Sequence, residues 1–136
     1  MRTERMLIGC LSALLAVVRP VAMCGADTRV VEVVADNDNQ FKVPGENKPV
    51  IRLKPRERVR LRITARKGPE WNKDGTIHSF TIVSLVDEGW DLMLKEGTQE
   101  FELTAPSEPG IYKVQCTVKC GRGHSDMKMK LLVTPP

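Results

Sequence analysis

The sequence predicts an all-β protein, a sandwich or barrel of short strands behind an N-terminal signal segment. Three observations lead there. Residues 58–64 (RVRLRIT) alternate strictly, with Val59, Leu61 and Ile63 on one face and Arg58, Arg60, Arg62 and Thr64 on the other. That is the pattern of a half-buried strand in an antiparallel sheet. Further short β-branched or apolar runs follow one another with Gly and Pro between them. The chain has 136 residues, 41% apolar and 28% charged, with no internal repeat, which describes one ordinary globular domain.

Taken in order, residues 1–26 stand apart from the rest. Arg2 and Arg5 precede an uninterrupted apolar run over 6–18 (MLIGCLSALLAVV), and small residues surround Ala26. This is the pattern of a secretory signal cleaved after Ala26, or of an N-terminal anchor that associates with a membrane through residues 6–26. Arg19 and Pro20 disfavour a spanning helix. The expected domain is therefore 27–136, placed in the periplasm or outside the cell. Without Arg2, Arg5, Arg19 and Glu4 the net charge falls from +4 to +2, so no polyanion is implied by charge alone. Only six aromatic side chains are present, too few for a base-stacking surface, and no nucleic-acid partner is expected.

The expected strands are 28–35, 50–53, 58–64, 79–85, 100–104 (with Phe101 and Leu103 inward), 111–116 after the Pro109-Gly110 turn, and 127–134. Residues 87–95 (DEGWDLMLK) are expected to carry one helical turn. A basic row, from Arg52, Lys54 and Arg56 through Arg58, Arg60 and Arg62 to Arg66 and Lys67, reads as a solvated strand face or as a docking patch for an acidic partner.

The chemistry is concentrated in residues 116–127, which read CTVKCGRGHSDM. Cys116, Cys120, His124 and Met127 offer two thiols, an imidazole and a thioether in the pattern C-x3-C-x3-H-x2-M. Soft and borderline donors of this kind suit copper, and also zinc or iron–sulfur, and the thioether favours copper. Gly121 and Gly123 let the chain turn tightly enough to bring these groups inward. His78 is the second of only two histidines and stands just before a strand. Each residue also has a plainer reading. The cysteines, both expected in an exported domain, form a disulfide in many such chains. His78 and Met127 would serve as core residues, and Trp71 and Trp90 as core or rim packing.

The combined pattern resembles the CuA-binding cupredoxin domain of cytochrome c oxidase subunit II and nitrous oxide reductase. Residues 109–116 (PGIYKVQC) follow that family's P-G-x-Y-x-x-Q-C lead-in, and Ile77-His78-Ser79-Phe80 resembles its first-histidine segment, 38 positions before Cys116. The resemblance spans roughly residues 55–134. It implies a cupredoxin-like Greek-key sandwich or barrel holding a binuclear copper centre. Cys116 and Cys120 would bridge two copper ions, His78 and His124 would each bind one, Met127 would be a weak axial ligand, and the Val118 carbonyl a weak ligand to the other ion. A rigid scaffold around shared thiolates suits single-electron transfer with small reorganisation. The implied role is an electron carrier rather than an enzyme, working free or as a small subunit of a respiratory oxidase, with a c-type cytochrome or oxidase subunit as redox partner. A copper-handling protein and a mononuclear blue-copper carrier are the alternatives. Oxidase members carry glutamate where this chain has Val118, so a second metal at that position is not carried over. The membrane hairpin of the oxidase subunit and the propeller of the reductase have no counterpart here.

Overall fold

The computed structural model describes residues 28–135. The expected signal segment, its cleavage after Ala26 and any membrane association through 6–26 lie outside the described residues. Among those described, no helix is long and apolar enough to cross a membrane.

The chain forms strands β1 (Arg29–Ala35), β2 (Phe41–Lys42), β3 (Val50–Leu53), β4 (Arg58–Ala65), β5 (Thr76–Thr81), β6 (Asp91–Lys95), β7 (Gly97–Thr104), β8 (Gly110–Gln115) and β9 (Lys128–Val133). Short 3-10 segments cover Val83–Glu88 and His124–Asp126. One sheet has the order β2-β1-β4-β7, the other β3-β9-β8-β5-β6. Both mix directions: β1 runs parallel to β4 and β3 parallel to β9, while β4–β7, β8–β9 and β5–β6 are antiparallel. The alternation of β4 is therefore real, but its neighbours are one parallel and one antiparallel strand.

The inward faces of the two sheets share one apolar core. Val59, Leu61 and Ile63 are fully buried, as their alternation predicts, with Leu94, Val114 and Leu131 from the other sheet in the same cluster. Phe41 meets Phe80 edge to face with ring centroids 5.7 Å apart, so the two-residue strand β2 anchors its loop by one aromatic pair. Trp90 is buried and its indole N–H donates to the Thr104 carbonyl at 3.2 Å. That makes it a core residue that ties the start of β6 to the end of β7.

Two expectations are corrected. Residues 91–95 form a strand, not a helical turn: Leu92 and Leu94 point inward while Asp91, Met93 and Lys95 are exposed, which is a period of two. The helical turn lies earlier, at Val83–Glu88, overlapping the end of the expected strand 79–85 and only the first two residues of 87–95. Strand β5 ends at Thr81, and Gly89 at φ 91° closes the turn and returns the chain into β6. Strand β2 was not anticipated, because two residues carry no periodicity.

The basic row is largely neutralised. Arg60 donates to Glu102 at 2.9 Å and Arg62 to Glu100 at 2.8 Å and Glu32 at 3.1 Å, all across strand pairs of the first sheet. Arg66 pairs with Asp36, and Lys67 lies near Glu96 and over the Trp71 ring. The solvated-face reading is the one the contacts favour for Arg58 to Arg62. Such exposed pairs are screened by solvent and contribute little.

Candidate metal centre

Strands β8 and β9 pair along their whole length, with Gln115 opposite Lys128. The twelve residues from Cys116 to Met127 are therefore a closed loop between them, and the Cys116 N–H donates to the Met127 carbonyl at 3.1 Å to seal its base. Inside the loop, Gly121 adopts φ 102° against Pro69, where a Cβ would lie 3.2 Å from the proline ring. Gly123 at φ 90° caps the 3-10 turn His124–Asp126. Both glycines meet a backbone requirement that an L side chain satisfies poorly.

The side chains converge. The Cys116 and Cys120 sulfurs are 3.9 Å apart, both thiols are free, and a ring nitrogen of His78 lies with them inside a 4.8 Å cluster. A disulfide would need sulfurs about 2.05 Å apart, so these two are held as a thiol pair. Met127 Sδ is 4.0 Å from Cys120 Sγ and His124 Nδ1 is 3.5 Å from the same sulfur. His124 stands at the partly exposed edge of the group, while His78, Cys120 and Met127 are fully buried. The Val118 carbonyl accepts from the Cys116 thiol at 3.2 Å and so faces the same space. All six residues singled out from the sequence thus meet at one end of the barrel.

His78 is held on one side only. Its Nε2 bonds to the Arg66 carbonyl at 2.9 Å, just past the end of β4, whereas its Nδ1 is buried with no hydrogen-bond partner. Burial pushes the imidazole below its ordinary pKa, against the opposing pull of the Arg66 carbonyl, and so favours the neutral ring. A neutral ring with Nε2–H donated to a carbonyl leaves Nδ1 with a lone pair and nothing to bind. Burial also pushes the Cys120 thiol up to about 12, with Cys116 beside it raising it further. A thiol raised this far gives up its proton to a bound cation, not to solvent.

Sequence reasoning missed the groups that hold the loop. Asn39, fully buried at φ 56°, donates its amide to the Cys120 carbonyl at 3.0 Å and the Arg122 carbonyl at 2.6 Å. Its Oδ1 has no partner and packs against Gly68, where a Cβ would lie 2.6 Å away. The Ser79 N–H points at Cys116 Sγ at 3.4 Å, and the Ser79 hydroxyl accepts the Thr117 N–H at 2.8 Å. The only hint of Asn39 in the sequence is the turn-rich stretch DNDN, which reads as a loop and nothing more.

This arrangement, two mixed sheets with a loop rich in soft donors between the last two strands, is cupredoxin-like. Structural comparison gives the same fold. The chain aligns with a subunit of a heme-copper terminal oxidase dimer at TM-score 0.58 and 17% identity, over 92% of this chain and 77% of that one. It aligns with the periplasmic domain of cytochrome oxidase subunit II of Bradyrhizobium japonicum at TM-score 0.55 and 14% identity, over 79% and 84%. Auracyanin from Roseiflexus castenholzii follows at TM-score 0.51 and 17% identity, over 82% of this chain and 100% of its own. No family model matches the sequence, and no curated protein matches it in sequence. Identities this low speak to the fold alone.

Proposed function

We propose that the chain is an exported electron-transfer protein whose loop 116–127, together with His78, holds a binuclear CuA-like copper centre. The observation that carries this reading is the unpartnered, buried Nδ1 of His78 beside two free thiols 3.9 Å apart. A polar atom buried without a partner costs about 1–3 kcal/mol, and a soft cation bonded to it removes that cost. The donor set fits copper: two thiols, two imidazoles, a thioether and a carbonyl. Copper held there supplies a one-electron couple. The protein's part is to hold the donors still. The Arg66 carbonyl orients His78, Ser79 braces Cys116, and Asn39 grips the loop from outside. The six donors would fill the coordination of the metal and leave no open position for a substrate, which favours an electron carrier over an enzyme. Within this reading Cys116 and Cys120 would hold both ions, His78 and His124 would each hold one, and Met127 and the Val118 carbonyl would be weak ligands. The domain is 27–136, exported to the periplasm, and its partner is a c-type cytochrome or an oxidase subunit. The oxidase subunit II domain among the similar structures supports this location and partner class.

Copper analysis and EPR of the purified, reduced and copper-loaded chain test this reading. Two coppers per chain, with hyperfine splitting from one electron shared by both nuclei, are expected. Cys116→Ser and Cys120→Ser are each expected to abolish that spectrum. One copper with a mononuclear signal would support the blue-copper or metal-handling alternatives instead. Serine variants with an unchanged spectrum would exclude the bridging role.

A further inference from the structure

The first sheet wears its arginines paired with glutamates, and the second does not. Strands β3, β8 and β9 contain no aspartate or glutamate at all. Their outward positions carry Lys113 directly opposite Lys130, with Val50 on the far side of Lys130 and Lys128 one pair further along. Lys48 joins them at the edge of an open groove of about 310 Å³, floored by Pro49 and Val50. None of these four lysines makes an ion pair among the described residues, and neither do the nearest acids in sequence, Glu46 and Asp126. Beside the groove, Ile111 is 67% exposed. Like charges directly opposite each other on a sheet are destabilising, so this face bears a local cost that a partner's charges would relieve.

We infer that this face is a docking surface for the carboxylate-rich surface of a partner redox protein. An apolar floor rimmed by charge is the anatomy of a protein interface. All four lysines are exposed, so nothing encloses a small anion. A second copy of this chain would present the same cations and repel. Position supplies the purpose. Lys128 directly follows Met127, and Lys113 stands three residues before Cys116, about 10 Å along an extended strand. A partner seated here lies over the strands that carry the ligand loop. That purpose rests on the electron-transfer reading above, whereas binding itself does not.

The test is an NMR titration of the metal-free, isotope-labelled full chain with poly-L-glutamate, with phosphatidylglycerol vesicles as a separate arm. Amide shifts confined to β3, β8, β9 and Lys48 are expected. Affinity is expected to fall about tenfold in Lys113→Gln/Lys128→Gln/Lys130→Gln, and by less than about twofold in Arg58→Gln/Arg60→Gln/Arg62→Gln, which removes the same charge from the ion-paired sheet. Equal losses in the two triple variants would reduce the effect to net charge and overturn the proposal. So would shifts centred elsewhere, or vesicle binding through these lysines with none to polyglutamate. Polyglutamate binding through this face by a chain that takes up no copper would uphold the face and exclude only the relay.

Discussion

Asn39 shows how much of the site depends on a residue that carries no metal chemistry. Its amide bridges two carbonyls of the ligand loop from a strand connection 81 residues away in sequence. The backbone there is left-handed at φ 56°, which Asn tolerates and most residues do not. Asn39→Gly keeps that conformation accessible while removing both hydrogen bonds, so it separates the clamp from the backbone. It is expected to lower stability by about 1–3 kcal/mol and to weaken copper uptake without changing the spectrum of the copper that does bind. Urea denaturation and a copper titration check both. Undiminished stability would mean that water replaces the amide and that the clamp is not structural.

Among the elements, β5 and β6 decide where the first histidine sits. Every residue of β5 is buried, so His78 has no route to solvent, and β6 packs against it with Phe80 opposite Leu92 and His78 opposite Leu94. The alternation in β6 makes a sharp expectation about neighbouring residues. Leu94→Ala, fully buried, is expected to cost about 2–5 kcal/mol, and Met93→Ala, 44% exposed, within about 0.5 kcal/mol of nothing. Thermal or chemical unfolding of the pair checks it, and similar losses in both would contradict the inward–outward alternation of β6. That reading failed for a physical reason. DLMLK is too short to tell a period of two from one turn of helix, and only pairing with β5 selects the strand.

At the scale of the whole molecule, charge is distributed unevenly, and the Asp36 carboxyl is held well below its ordinary range. Asp36 follows β1 and accepts from Lys42 at 2.6 Å and Arg66 at 3.2 Å. The Lys42 ammonium beside it holds its carboxyl down at about 2, against the opposing effect of burial. A depressed folded-state pKa contributes stability that is fully present above the unfolded value of about 3.9 and is lost as pH falls toward 2. Lys42 is half-exposed, so the contribution is on the order of 1 kcal/mol after screening. The difference in unfolding midpoint between the parent chain and Asp36→Asn is expected to be constant from pH 7 to about 5 and to shrink from about pH 4 downward. A difference that stays constant to pH 2 would show that Asp36 is not held ionised by its partners.

The sequence by itself determined what is local. The alternation of 58–64 places Val59, Leu61 and Ile63 inward, because side-chain direction follows the chain residue by residue. The donors of 116–127 are legible for the same reason, since one short loop between adjacent strands must bring them together. Tertiary structure alone decided the rest: that β1 and β3 pair in parallel, that 91–95 is a strand, that the Arg66 carbonyl and Asn39 hold the site, and that Arg60 and Arg62 are neutralised while Lys113, Lys128 and Lys130 are not. Each of these depends on which strands lie side by side and in which register. Arg60 meets Glu102 across 42 residues, and no pattern within either strand encodes that meeting. Strand neighbours are chosen by burial of the shared core, and the surface charges fall where that choice leaves them.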